Sequence, residues 1–298
     1  MIKEIQAKTL LSSTTHPDSL FGIKYTMNLY RGCQHQCIYC DSRSLCYGIE
    51  NFADILVKVN AIDLLRKELP SKRTKGTVGT GSMNDPYMPV EKQYNMTGRA
   101  LAVLAEYEYP VHVITKSDLV LRDIALLQDI SRTYAAVSVT ITTADDALSH
   151  RIEPGAPVSS SRFRAIEVLA SHGIYAGITM MPILPFIEDD AASIGAIVAR
   201  ARDAGAQYIL PWFGMSMRDR QRSYFYAQLD RLYPGLRRRY EQRYGEHYEC
   251  PVPDASALSV QFSECCERVG LATRMRLFAP VPARRRVADG GAQIRLFD

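Results

Sequence analysis

Six short β-branched or apolar runs alternate along this chain with five amphipathic helical stripes, and this alternation restricts the fold more than any other feature. Strands joined through helices run parallel with right-handed crossovers, so the architecture is α/β. The strand candidates are Tyr25–Tyr30, Gly76–Thr80, Val111–Thr115, Ala136–Ile141, Ile174–Met180 and Tyr208–Leu210. The first helix is expected from Phe52, capped by Asn51, with Phe52, Ile55, Leu56, Val59, Ile62 and Leu65 on one stripe. The second carries Met96, Ala100, Val103, Leu104 and Tyr107. The third carries Val120, Ile124 and Leu127 behind a Ser117 or Asp118 cap. The last two carry Phe163, Ile166 and Leu169 before Gly173, and Ile194, Ile197, Val198 and Ala201 before Gly205. A partial, TIM-like (β/α)6 barrel fits. A doubly wound sheet fits the same periodicity.

With 298 residues, 47% of them hydrophobic and 23% charged, the chain can bury a full core without staples. No run approaches the ~18 apolar residues of a membrane helix. Met1-Ile2-Lys3-Glu4-Ile5 mixes charges with no apolar core, so secretion is not expected and a cytoplasmic location is. The expected organisation is an N-terminal extension over 1–24, a barrel over 25–215, an Arg/Tyr-rich helical extension over 216–279 and a flexible tail over 280–298. Pro234-Gly235 breaks the helical extension, and the Cys265-Cys266 pair lies in a further helix. The tail holds Arg284-Arg285-Arg286 and Gly290-Gly291.

Seven cysteines are an odd count, which with no export signal favours metal or thiol chemistry over a disulfide framework. Three of them stand together in Arg31-Gly32-Cys33-Gln34-His35-Gln36-Cys37-Ile38-Tyr39-Cys40, a loop just after the first strand. Thiolates are natural ligands of iron–sulfur centres, and three ligands on a four-iron cluster leave one iron open to a small molecule. Zinc would need a fourth ligand, for which His35 or Cys46 could serve. The spacing and the loop position favour iron–sulfur.

The pattern Cys33-x3-Cys37-x2-Cys40, with Tyr39 before the last cysteine, resembles the radical S-adenosylmethionine (SAM) superfamily. Asn28-Leu29-Tyr30-Arg31-Gly32-Cys33, Asn84-Asp85-Pro86-Tyr87 with Glu91, Thr115-Lys116-Ser117, Arg151-Ile152-Glu153-Pro154 and Met181-Pro182-Ile183-Leu184-Pro185 resemble its spore photoproduct lyase-like branch, often labelled DNA repair photolyases. The resemblance spans about residues 20–215. It implies a [4Fe-4S] cluster on Cys33, Cys37 and Cys40, whose open iron takes SAM and cleaves it reductively to a 5′-deoxyadenosyl radical. It further implies Tyr39 beside the adenine, Ser82 and Asn84 facing the methionine end, Lys116 at the carboxylate, and Ser138 at the ribose or carboxylate. An electron donor such as flavodoxin or ferredoxin follows from the same resemblance. His112 and His172 are expected to be structural.

The chain departs from that branch in one respect. Spore photoproduct lyase returns a hydrogen atom from a cysteine near the end of strand two, where this chain has Thr80-Gly81-Ser82-Met83-Asn84-Asp85. A serine O–H is too strong to quench a carbon radical, so the spore-lesion reaction is not expected by that route and a different substrate is. Tyr87, a phenol on the same loop, is the substitute donor, and Asp85 is the other catalytic candidate there. Cys250, Cys265 and Cys266 match no ligand set and are expected to be inert. The Arg/Tyr-rich segment suits a nucleic acid, with DNA favoured by the branch; salt bridges to Asp219, Asp230, Glu241 and Glu246 would instead make it a solvated face. Gln293-Ile294-Arg295-Leu296-Phe297 resembles the peptide by which bacterial polymerases and repair factors dock on the sliding clamp, with Gln293, Leu296 and Phe297 as contacts. The expected function is a radical SAM enzyme acting on nucleic acid. The alternatives are radical modification of a peptide or small metabolite, and a non-catalytic iron–sulfur DNA-binding protein recruited to the clamp.

Overall fold

Strand order decides between the two architectures. The structure, a computed structural model, describes residues 1–279. Its main sheet contains six parallel strands: β1 (Ile23–Met27), β2 (Thr77–Thr80), β3 (Val111–Thr115), β4 (Ala135–Thr140), β5 (Tyr175–Met180) and β6 (Ile209–Pro211). Each pairs with the next in chain order. A doubly wound sheet would reverse its order at a switch point, and this one does not. The result is a partial (β/α)6 barrel. Leu11–Ser13 flanks β1 antiparallel, and at the other edge Tyr208 bridges Ala272.

The linking helices are α1 (Ala61–Glu68), α2 (Met96–Glu106), α3 (Ile124–Ser131), α4 (Ser159–Ser171) and α5 (Ala191–Asp203). Their apolar stripes join alternate strand residues in one buried cluster, with Val111, Val113, Val137 and Val139 meeting Leu65, Leu104, Leu127 and Ile166. Ser117 does cap, accepting from the Leu119 amide at 3.2 Å. It opens a 3-10 segment, Asp118–Asp123, and α3 proper begins only at Ile124.

Two expectations are corrected. The helix expected from Phe52 begins only at Ala61, because Ile55–Lys58 is a strand, parallel to Ile2–Ile5 and antiparallel to Tyr30–Arg31. Ile55 and Val57 are buried while Leu56 and Lys58 are half-buried, an alternation that a helical stripe also accommodates. Asn51 therefore caps no helix; its side chain accepts from the Ala53 amide at 3.2 Å. The expected strand Tyr25–Tyr30 is likewise two pieces, β1 and Tyr30–Arg31.

Beyond the barrel lie α6 (Asp219–Leu232), α7 (Leu236–Tyr244) and α8 (Ala255–Val269), with the break at Pro234-Gly235 as expected. An unanticipated antiparallel pair, Gly214–Ser216 with Glu249–Pro251, brackets α6 and α7. Phe225, Leu229 and Tyr240 of these helices share a buried cluster with Cys37, Ile38 and Tyr39. The extension thus packs directly on the cysteine loop. The clamp-like residues Gln293, Leu296 and Phe297 lie outside the described residues. Among those described, no helix is long and apolar enough to cross a membrane.

Candidate functional site

The cysteine loop is clamped at both ends. Gly32 has φ +79°, and a Cβ there would lie 2.2 Å from the Asp54 carbonyl oxygen, so only glycine fits. The Asn84 side-chain amide donates to the Tyr30 carbonyl at 2.7 Å, and that of Gln221 to the Tyr39 carbonyl at 3.0 Å. The Ile38 amide donates to the Ile152 carbonyl and the Gly155 amide to that of His35, each at 2.9 Å. Cys33, Cys37 and Cys40 are free thiols lining one cavity of about 200 Å³. Around them stand Ser82, Asn84 and Asp85 after β2, Thr115 and Lys116 at the end of β3, Thr140 at the end of β4, Pro182 after β5 and Trp212 after β6. These are C-terminal strand ends, where barrels of this kind carry their chemistry.

The Arg151-Ile152-Glu153-Pro154 phrase supplies the cavity's electrostatic anchor. Glu153 is buried, pairs with the fully buried Arg162 at 2.5 Å, accepts from the Tyr39 hydroxyl, and stands 3.8 Å from the Lys116 amine. Burial alone would raise Glu153, but Arg162 and Lys116 outweigh it and hold it below the usual carboxylate range. Burial would lower Lys116, yet Cys37 and Glu153 raise it, so the amine stays cationic. Burial also works against Asp85, which His35, Thr115 and the Lys116 amide nevertheless hold down to about 2. Burial pushes the Cys33 thiol up to about 12 and raises Cys37 and Cys40 as well.

Most of the residues expected at the site meet here, and three differ. Tyr39, Ser82, Asn84 and Lys116 line the cavity with the cysteines. Asp85 lines it too, but its carboxylate is occupied as a clamp: it accepts from Thr115 Oγ1 and the Lys116 amide, each at 2.6 Å, and from the Tyr87 amide at 2.9 Å. It also faces His35 at 3.3 Å. Tyr87 does not reach the cavity. Its chain turns outward after Asp85, and its buried hydroxyl donates to Asp123 at 2.9 Å. Ser138 is also misplaced: it sits mid-strand, 2.7 Å from both His112 Nε2 and the Tyr208 hydroxyl. Two residues further along β4, on the same face, Thr140 lines the cavity instead. Of the suggested zinc ligands, His35 lines the same cavity with its ring 3.3 Å from Asp85, whereas Cys46 lies in an exposed turn away from it. Sequence reasoning missed Glu153 and Arg162, whose partnership joins distant segments, and Met215, Ser216 and Trp212 from the unanticipated strand pair and its approach.

The donor set suits an iron–sulfur cluster: three free, soft sulfur ligands on one fixed loop, facing hydroxyl, amide and amine groups across the same cavity. Comparison with known proteins agrees. The chain is 29% identical over 250 residues to an uncharacterized protein of Mycobacterium tuberculosis, covering 81% of this chain and 73% of that one. It is 28% identical over 155 residues to a radical SAM Nalpha-GlyT isomerase of Pseudomonas phage M6, covering 52% of this chain and 32% of the isomerase. Its fold matches spore photoproduct lyase complexed with dinucleoside spore photoproduct at a TM-score of 0.68 and 16% identity, covering 90% and 79% of the two chains. The Radical SAM superfamily model matches residues 27–194, more than half the chain. The chain belongs to the radical SAM superfamily and is an enzyme of that class.

Proposed function

We propose that this chain cleaves SAM reductively at a [4Fe-4S] cluster held by Cys33, Cys37 and Cys40, and turns the resulting radical on a nucleic acid. The observation that carries the reading is the convergence of three free thiols and a cationic Lys116 on one cavity at the strand ends. When bound, the cluster supplies the electron that splits SAM into methionine and a 5′-deoxyadenosyl radical. The chain's own residues bind, orient and shield. Lys116 meets the SAM carboxylate as a point charge, and Ser82 and Asn84 supply a hydroxyl and an amide at the methionine end. Tyr39, its hydroxyl fixed by Glu153, offers a rigid ring to the adenine. The buried Glu153–Arg162 pair holds that ring and Lys116 in place.

Nucleic acid as substrate is supported by the Arg-rich extension and by the fold shared with an enzyme solved with a dinucleoside lesion. Part of the extension is structural, however: Arg218 pairs with Asp41 at 2.7 Å, and Arg237 with Asp230 at 3.0 Å and Glu241 at 2.8 Å. Among the described residues, no cysteine besides the triplet lines the cavity, so hydrogen return by a cysteine thiol has no support here. A flavodoxin or ferredoxin supplies the electron in this account. The tail peptide brings the enzyme to the sliding clamp, a reading that rests on Gln293, Leu296 and Phe297 in the sequence.

The test is deoxyadenosine release by the reconstituted enzyme with undamaged DNA, ultraviolet-irradiated DNA, RNA and unrelated peptides. Stimulation by a nucleic acid alone supports the reading; stimulation by peptide alone overturns it. Deleting residues 290–298 should abolish clamp affinity, and unchanged affinity removes the clamp.

A further inference from the structure

Among the described residues only two aromatic side chains are exposed, Trp212 at 42% and Tyr248 at 48%. Both flank the same strand pair at the mouth of the cavity. Trp212 is the chain's single tryptophan and lines the cavity directly. Its backbone is fixed to the end of β5: its amide donates to the Met180 carbonyl at 3.1 Å, and its carbonyl accepts from the Ile183 amide at 2.9 Å. The strand Gly214–Ser216 leads away from it, and Met215 and Ser216 line the cavity in turn. At the far end the Met217 amide donates to the Tyr248 carbonyl at 2.8 Å. The Arg218 guanidinium, held by Asp41, lies 4.9 Å from the centre of the Tyr248 ring. The chain turns sharply at Phe213, where the Gly214 amide donates to the Trp212 carbonyl at 3.0 Å, before the strand begins.

The segment that carries this rim, residues 212–249, holds eight arginines against five carboxylates. Arg218, Arg222 and Arg237 pair with Asp41, Glu246, Asp230 and Glu241, which leaves Arg220, Arg231, Arg238, Arg239 and Arg243 without a carboxylate partner among the described residues. Arg220 is held by carbonyls, donating to those of Ile49 at 2.8 Å and Glu50 at 3.3 Å. Carbonyls fix a guanidinium without cancelling its charge. Two exposed rings, a cationic flank and a cavity that begins at Trp212 match the chemistry of a single-stranded nucleic acid, whose bases stack and whose phosphates need cations.

We propose that Trp212 and Tyr248 form a stacking rim that holds unpaired bases on either side of the nucleotide presented to the cavity. This rests on the nucleic-acid reading above and adds that the substrate is engaged single-stranded. The test uses the full-length, reconstituted protein and a dye-labelled ten-nucleotide oligodeoxythymidylate followed by fluorescence anisotropy. Trp212→Ala and Tyr248→Ala should each weaken binding about 5- to 150-fold, the range that base–aromatic stacking supplies. Trp212→Phe should lose less, and Val260→Ala on α8 should bind as the wild type does. Because Trp212 is the single tryptophan, the same oligonucleotide should also quench the intrinsic fluorescence of the unmutated protein, with the same Kd; this readout needs no variant to fold. Tight oligonucleotide binding with no quench and with wild-type affinity in both alanine variants overturns the rim and leaves the nucleic-acid reading standing. Preference for duplex over single strand also overturns it. No binding of any nucleic acid by the wild type removes the underlying reading, and the rim with it.

Discussion

Lys116 follows β3 and Ser138 lies on the neighbouring β4, and their surroundings separate their roles. Lys116 reaches the cavity from the end of β3, whereas the Ser138 hydroxyl is held between His112 and Tyr208. Lys116→Ala should weaken SAM binding tenfold or more while the cluster's visible absorbance is retained. Ser138→Ala should leave SAM affinity unchanged and cost about 1 kcal/mol of stability, the worth of an ordinary hydrogen bond. Equilibrium dialysis and thermal unfolding measure the two. Glu188 offers a test in pH. It is buried, with Thr142 Oγ1 donating at 2.6 Å and the Leu184 amide at 3.0 Å. Burial pushes its carboxyl up to about 8 despite these bonds, from 4.5 ordinarily. Between those values the folded chain binds a proton that the unfolded chain has released, so this group's contribution to stability falls as pH rises from about 4.5 to about 8. Glu188→Gln should flatten that fall in Tm, and a slope unchanged from wild type would contradict the assignment.

Among the elements, the cysteine loop depends on the segment after β4. Gly155 shows how close that docking is: a Cβ there would lie 2.1 Å from the Gln34 carbonyl oxygen. Glu153→Ala would leave the Arg162 guanidinium buried and unpaired, a loss of about 3–5 kcal/mol. Urea unfolding should show it, together with poorer cluster incorporation; a stability within 1 kcal/mol of wild type would contradict this role. The phrase containing Glu153 was visible in the sequence, but its function was not, because Tyr39 and Glu153 are 114 residues apart and meet only in the fold. Local pattern failed for a different reason at Ile55–Lys58. Its apolar spacing satisfies both periods, and pairing with Ile2–Ile5 and Tyr30–Arg31 decides for strand. Ser138 was a smaller miss: the face was right, and the level along β4 was wrong by one strand repeat.

At the scale of the molecule, the six parallel strands and their order carry the site, and their alternation was readable because each β-α round is local. The cysteine triplet was readable for the same reason. What was not readable is how residues 214–251 fold back over the loop, since Phe225, Leu229 and Tyr240 find Cys37 and Tyr39 only through long-range packing. One cavity is thus assembled from distant segments, and SAM cleavage is the chemistry proposed for it. The most direct measurement is anaerobic: reconstitute the protein with iron and sulfide, reduce it with dithionite, add SAM, and quantify 5′-deoxyadenosine by chromatography beside a Cys37→Ala variant. The account predicts deoxyadenosine from the intact triplet and none above background from the variant. A fully assembled cluster that leaves SAM uncleaved with every reductant would contradict it.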